Sequence, residues 1–555
     1  MIHAMIFDGE EITMRLTMYL MREGVSPDVS VLRSSAHYET AELRSAASDI
    51  AAVFLFKGES RSPGWLDEVT KLATPVSTKV ELESRSLGAV ILVEADERVI
   101  AVTFGSGYHA LESAAIERGF GLRVTANMVA TDGIRGAQTR GVARSSRDQK
   151  TLLPGTGQLQ DLAVEVDEDW LRQLSGKSSD SGFATNVSGA DSLTMNVKDF
   201  DLATVGTKVK DVMAAWSGLE YRQKFPFLDR IVPLDRSDPL IAELDDLAAA
   251  QVRSADSSLS FAAPDPFEQL SVDHYEIACQ YQRYLLSELD SVAVLDIAAT
   301  LDVKKSPLES IRIRALSEDG EDIDRAYPLK SYLQTEVLHA GSSFLLAAGH
   351  WFSLQQNFVN EIEVAMSRIP DLTEDLRLPD WDPEALRVDT SDKTAEGSYN
   401  IATAKERGFA LLDKRLVTFG AYKRLEICDL LTPDRQLLCV KAASDSPALS
   451  HLVAQVTNSA DAWGDRDYDE KLGAAWAELS TSAVFDRRDA KFVLAIATSK
   501  PGSLSESLFF FSKVQIVNGY RKLVRGQFGF AVAKIVMHSV ESVKVVRTSS
   551  RVKFE

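Results

Sequence analysis

Two side chains twelve positions apart carry the clearest chemical signal in the chain. In LEICDLLTPDRQLLCVK (425–441), Asp429 stands near the end of one apolar, strand-like run and Lys441 stands in the next. Side chains alternate between faces along a strand, so Cys439 and Lys441 are expected to point the same way. A short turn at TPDRQ would bring Asp429 beside that pair. A carboxylate there can hold a hard divalent cation that polarises phosphate and lowers the pKa of water, while an ammonium orients the nucleophile. Asp429 with Glu426 as metal ligands, Mg2+ or Mn2+ as the ion, and Lys441 beside them is the layout of a metal-dependent nuclease. The plainer alternative is that Asp429 simply starts the turn before Pro433. Other chemistries find less support. Ser450 and His451 are adjacent on an expected helix and so cannot face each other. The chain has no HExxH, no Cys/His cluster and no Walker motif, which disfavours zinc hydrolases and nucleotide triphosphatases.

The elements that must position these residues are legible around them. FALLDKRLVTF (409–419), LEICDLL (425–431) and LLCVKAA (437–443) read as three strands, and Ser446-Pro447 opens a helix whose apolar face is Leu449, Leu452, Val453 and Val456. KFVLAIAT (491–498) and FAVAKIVMHSV (530–540) are further strands, with the helix VQIVNGYRKLVRG between them. The order helix, three strands, helix, strand, helix, strand predicts a mixed sheet with covering helices. It resembles the PD-(D/E)xK nuclease superfamily, in which a helix carries an acid, one strand an Asp, the next (D/E)xK, and a following helix a Gln. Glu396, Asp429, the Cys439-Val440-Lys441 triplet and Gln455 occupy those places in turn. The resemblance implies Asp429, Lys441, Glu396 and Gln455 as catalytic residues and a restriction-endonuclease-like core. Cys439 departs from the pattern, because a thiol is a poor ligand for magnesium. Its presence weakens metal binding, moves the second carboxylate to Glu426 or Asp413, or leaves an inactive site.

Elsewhere the signals are weaker. GAVILVEADERVIAVTF (88–104) reads as a hairpin turning at Ala95-Asp96-Glu97, and FGSGYHALESAAIERGFG (104–121) as a short helix with a glycine stop. Its Gly-rich start lacks the third Gly of a dinucleotide fingerprint and the Lys-Ser/Thr of a P-loop, so a tight turn is expected there. The Ser/Gly-rich stretch 174–192 reads as a loop or linker. YLQTEVLHAGSSFLLAAGHWFSL suggests two strands around Gly341, followed by a helix over 358–369. Two basic stretches, Arg135 and Arg140 with their neighbours and Arg521, Lys522 and Arg525 in the tail, could track a nucleic-acid backbone. A docking surface for the acidic 370–397 stretch is the alternative.

At 555 residues two to four domains are expected. Hydrophobic residues at 45% and charged residues at 26% exclude collagenous, largely disordered and membrane-embedded classes. A net charge of −20 repels nucleic acid overall, so any such contact must use a local basic patch. Three cysteines make no disulfide framework, no stretch of 18 apolar residues exists, and the first residues lack a basic signal-peptide region; a cytoplasmic protein without membrane contact is expected. The fold class expected is α/β to α+β, multidomain, with mixed sheets covered by helices. Its units are an N-terminal α/β domain (1–150), a second α+β segment (151–250), a middle α+β segment (251–370), an acidic linker (371–395) and the nuclease-like domain (396–555).

The whole chain also resembles a sporadically distributed, largely uncharacterised bacterial family, a domain of unknown function. The segments that carry the likeness include LTMYLMREGV (16–25), AVTFGSGYHALE (101–112), FPFLDRI (225–231), GHWFSL (349–354), EGSYN (396–400), LEICDLL and LSHLVAQ (449–455). A patchy distribution implies a role in phage defence, with DNA as the expected nucleic acid and a neighbouring gene's product as a protein partner. Two functional readings stand: a nuclease that cleaves foreign DNA, or a non-catalytic component that keeps the nuclease-like fold to bind nucleic acid or protein.

Overall fold

The computed structural model describes residues 13–40, 49–57, 86–141, 148–162, 164–235, 237–256, 259–261, 274–279, 282–286, 291–300, 305–316, 326–382, 395–419, 422–442, 446–479, 485–498, 502–538 and 546–548. The first sheet has ten strands: β1 (Thr13–Leu20), β2 (Glu39–Thr40), β3 (Ile50–Lys57), β4 (Leu87–Ala95), β5 (Arg98–Gly105), β6 (Val129–Gly141), β7 (Asp148–Gly157), β8 (Asp169–Ser178), β9 (Asn186–Gly189) and β10 (Leu193–Lys198). Their order is β2-β3-β4-β5-β1-β10-β9-β8-β6-β7. The expected β4–β5 hairpin forms, with a two-residue turn in which Asp96 and Glu97 both take positive φ (50° and 61°), the twist a tight hairpin requires. Helices α1 (Phe120–Met128) and α2 (Val205–Ser217) cover one face. The sheet carries the first unit on from residue 150 to Lys198.

Two expectations fail here, each for a tertiary reason. Residues 104–119 form no α-helix but two single turns, Gly107–Ala110 and Ser113–Ala115. Their backbone is taken by neighbours instead: Leu111 bridges Leu32, Ile116 bridges Met21, and Glu117 N donates to Leu20 O at 2.9 Å. The Ser/Gly-rich stretch 174–192 is no linker; it supplies the end of β8 and all of β9. Its small residues serve close approach, since a Cβ on Gly189 would collide with the Gly121 carbonyl at the start of α1.

The middle of the chain builds two further sheets from β11 (Ile231–Pro233), β12 (Ser260–Phe261), β13 (His274–Cys279), β14 (Gln282–Leu286), β15 (Arg312–Leu316), β16 (Tyr327–Pro328), β17 (Leu333–His339), β18 (Ser342–Ala347) and β19 (His350–Leu354). One runs β11-β19-β18-β17-β12, and the other begins β16-β15-β13-β14. The stretch around Gly341 therefore holds three strands, not two, because Gly349 at φ 76° makes a second turn. Helix α3 (Leu240–Arg253) runs across residue 251 and shares a core with α4 (Ser291–Thr300); α5 (Gln356–Met366) follows β19.

The last unit has α6 (Ala395–Arg407), β20 (Ala410–Leu411), β21 (Leu416–Phe419), β22 (Tyr422–Glu426), β23 (Leu430–Leu431), β24 (Gln436–Ala442), α7 (Ser446–Asp461), α8 (Arg466–Leu479), β25 (Lys491–Thr498), α9 (Phe510–Arg525) and β26 (Gly529–Val536). Its sheet runs β20-β23-β24-β25-β26, antiparallel as far as β24 and parallel from β24 to β26. Parallel strands are covered on both faces, which is why β25 is apolar without interruption over residues 492–497. Tyr399 of α6 packs on one face with Leu438 and Val440, whereas Leu449, Leu452 and Val456 of α7 pack on the other with Leu437 and Cys439. The two expected strands 409–419 and 425–431 are each split: their inner parts pair as a separate β21–β22 hairpin, and only the short ends β20 and β23 join the sheet. Residues 371–381 are no free connector. Leu372 N and Trp381 N donate to Val532 O and Val536 O, both at 2.8 Å, and Trp381 stacks on Tyr399 at 4.6 Å. Beyond residue 382 the acidic stretch lies outside the described residues until α6. The chain finally returns to the middle unit, where β27 (Val546–Thr548) pairs with β14.

Candidate functional site

Asp429 sits where the chain leaves the β21–β22 hairpin and enters the sheet. Its amide donates to Leu438 O at 2.9 Å, and its carbonyl accepts from Leu412 N at 2.8 Å and Asp413 N at 3.0 Å. Its carboxylate accepts from Val440 N at 2.6 Å, inside the very triplet that ends in Lys441. This side chain is 1% exposed. Burial lifts its carboxyl well above the ordinary carboxylate range; the Val440 amide pulls the other way, and the charges of Glu396, Glu426 and Asp413 add to the lift.

Lys441, at the far end of β24, reaches the first turn of α6, where its Nζ meets Glu396 Oε2 at 2.7 Å. Both side chains remain about one-third exposed (28% and 33%), so this end of the sheet is open to solvent. Glu426, the last residue of β22, accepts from Gln455 Nε2 of α7 at 3.1 Å. Its carboxyl too is raised, first by burial and then by Asp413 and Glu396, with the Lys414 amide and His451 opposing. His451 and Gln455 lie one turn apart on α7, on the face the sequence spacing indicated. Glu396, Glu426, Asp429, Lys441 and Gln455 are thus gathered from α6, β22, the segment before β23, β24 and α7.

Cys439 does not take the place of a carboxylate. It is fully buried in the core beneath α7, and burial pushes its thiol and that of Cys428 well up, so neither is a thiolate. Among the described residues, no three His, Cys, Asp or Glu side chains stand close enough to cage a metal ion.

The other sequence candidates separate. Arg135 is exposed on β6, Arg140 is half-buried, and Arg525 is exposed at the end of α9. Arg521 is committed within the chain, to Asp167 at 3.4 Å and Glu361 at 3.0 Å, and Lys522 meets Asp461 at 2.7 Å. Arg144, Arg147 and the basic residues after Thr548 lie outside the described residues. Ser450 donates to Gln515 Oε1 at 2.8 Å and has no catalytic geometry with His451. In FGSGYH the glycines are steric: a Cβ on Gly107 would collide with the Ala89 carbonyl, and the His109 ring packs at a tilt on Tyr108, 4.0 Å between centroids. The sequence reading missed a cavity of about 400 Å3 at the first sheet, where Arg118, Arg123, Arg140 and Arg172 meet. Those arginines are spread along the chain in no motif, so only the fold assembles them.

Among the described residues no helix is long and apolar enough to cross a membrane. The model of a family of unknown function (DUF6119) matches residues 16–536. No curated protein and no solved structure matches the chain.

Proposed function

The chain belongs to the DUF6119 family over nearly its whole length, and on that premise, which assigns no chemistry, we propose that its C-terminal unit is a metal-dependent nuclease. The observation that carries this reading is the Lys441–Glu396 pair at 2.7 Å beside an Asp429 carboxylate anchored on the amide of Val440. The order helix, three sheet strands, helix, parallel strand supports it, being that of the restriction-endonuclease-like core; here it is elaborated by the β21–β22 hairpin and by α8.

The donor set suits a hard cation. Magnesium keeps several waters and is held by one or two carboxylates together with substrate phosphate, so a full protein cage is not required. Glu426 and Asp429 would hold it, with Asp413 and Glu396 nearby, and their mutual repulsion is what a divalent ion would relieve. When bound, the ion supplies Lewis-acid polarisation of the phosphate and a lowered pKa for water. The protein's part is positional. Gln455 fixes Glu426 through its amide, Val440 N fixes Asp429, and Glu396 holds the Lys441 ammonium at the solvent edge. From there Lys441 can donate to an attacking water or to a phosphate oxygen.

The test is cleavage of duplex DNA, single-stranded DNA and RNA by the full chain with magnesium or manganese, beside EDTA, Lys441→Ala and Asp429→Asn. Cutting that needs the ion and is lost in both variants is expected; cutting that survives in both would sink the nuclease. A second reading rests on Cys439, which leaves the site without the carboxylate the nuclease pattern places there. On that reading the unit binds nucleic acid or a protein partner without cutting, and chelator leaves binding unchanged. The setting we propose for either, bacterial defence against foreign DNA, rests on the family resemblance alone.

A further inference from the structure

The first sheet and the segment leading into β11 enclose a cavity of about 400 Å3, within the size range of small-molecule sites. It lies apart from the carboxylate site: none of Glu396, Glu426, Asp429 or Lys441 lines it. Its chemistry is uneven for a chain of net charge −20. Arg118 comes from the turn just before α1, Arg123 from its first turn, Arg140 from β6 and Arg172 from β8. Three carboxylates line the cavity as well, Asp169, Asp191 and Asp229: Arg118 is already paired with Asp191 at 2.6 Å, and Asp229 accepts from the Tyr221 hydroxyl at 2.7 Å and pairs with Arg222. Arg123 is different. Its guanidinium lies 5.5 Å from the Trp216 ring and 5.4 Å from the Tyr221 ring, and its Nε is buried with no hydrogen-bond acceptor among the described residues. A buried cationic donor left unpaired costs free energy that a ligand oxygen would recover.

The remaining walls add flat surfaces. Arg172 lies over the Trp170 ring at 5.6 Å, and Trp170 is the cross-strand partner of Arg140 on the β6–β8 ladder. Arginine forks match phosphate oxygens in pairs, and aromatic faces stack on planar rings. A second cavity of about 710 Å3 adjoins through Arg140, Leu234 and His350, and its wall includes Arg312 and a Lys330 that is paired with Asp245 at 2.6 Å. We propose that this cavity binds a mononucleotide carrying several phosphates, with Arg123 and Arg172 on the phosphates and the half-buried Trp170 against the base.

The test is calorimetric titration of the full chain with ATP, AMP and inorganic triphosphate, in EDTA so that no divalent ion bridges phosphate to the C-terminal carboxylates. Saturable binding of ATP is expected, weakened about tenfold or more by Arg172→Ala and by Gln138→Glu, which sets a carboxylate in the cavity, and unchanged by Lys441→Ala. These two positions avoid Arg123, whose removal from between two rings could disturb folding. No binding of ATP, or binding that Lys441→Ala weakens and the cavity variants do not, would overturn the proposal. Triphosphate binding as tightly as ATP would overturn the assignment of a nucleotide. Cutting of nucleic acid in magnesium is scored separately, so either idea can fail without the other.

Discussion

Asp429 shows how one residue can be both structural and chemical. Its main chain bonds to β24 and to the turn that follows β20, and its carboxylate is held by Val440 N at 2.6 Å while burial lifts it above the ordinary carboxylate range. An acid whose folded pKa lies above its unfolded value contributes stability that is full below the unfolded pKa and lost as pH rises through the folded one. Cation-free wild type should therefore lose melting temperature as pH climbs above the ordinary carboxylate range. Asp429→Asn, which keeps an oxygen for Val440 N, should show a flatter profile, and magnesium should raise the melting temperature of wild type at the upper end but not that of the variant. Thermal unfolding across pH, with and without magnesium, checks this; identical profiles for the two proteins would count against the buried acid. Asp429 and Lys441 stood out in the sequence because they lie on two neighbouring strand-like runs, whereas Glu396, 45 residues before Lys441, and Gln455 entered only through the nuclease resemblance. The burial of Cys439 was not legible, since both faces of β24 are covered, one by α6 and the other by α7, and alternation reveals only strands with one face in solvent.

At the scale of elements, the pattern of apolar runs located most strands and helices, and tertiary pairing decided the rest. The stretch 104–119 has helical composition, yet its backbone bonds go to Leu20 and Val31 and keep it in turns. The stretch 174–192 has linker composition, yet its glycines let α1 lie on β9. Gly189→Ala is expected to destabilise the chain by about 1–3 kcal/mol or more, through overpacking against the Gly121 carbonyl; a chemical-denaturation midpoint equal to wild type would show the contact to be slack. Glu336 of β17 plays a comparable joining role: it accepts from Phe510 N at 3.2 Å, at the start of α9, where Phe509 supplies no side-chain cap. Its carboxyl is raised first by burial, so Glu336→Gln should keep a cap and remove part of the stability lost as pH rises. Melting curves of Glu336→Gln and wild type that stay parallel across pH would contradict this.

Across the whole molecule the units are tied by charge. Asp167 before β8 pairs with Arg230 and, at 3.4 Å, with Arg521 of α9; Glu361 of α5 pairs with Arg230 at 3.2 Å and Arg521 at 3.0 Å. The network connects the first sheet, the middle unit and the last unit, and it explains why part of the basic tail is no free surface. Asp167→Ala leaves two arginines short of a partner in a partly buried place and should cost about 1–3 kcal/mol, read as a lower denaturation midpoint. Such long-range pairing has no trace in sequence spacing, which is why Arg521 looked like a nucleic-acid contact. Arg525, exposed on the same helix, is the better candidate, and Arg525→Ala should weaken DNA binding and lower its salt dependence more than Lys522→Ala does.

If the C-terminal unit is a nuclease as proposed, Lys441, Glu396 and Asp429 act together as its working site. The most direct measurement is the rate at which the full chain cuts supercoiled DNA in magnesium, compared between wild type and Lys441→Ala at equal folded fraction by circular dichroism. A fall of about 10²-fold or more is expected in the variant. Equal rates in the two proteins, or no cutting by either in magnesium or manganese on any nucleic acid, would contradict it.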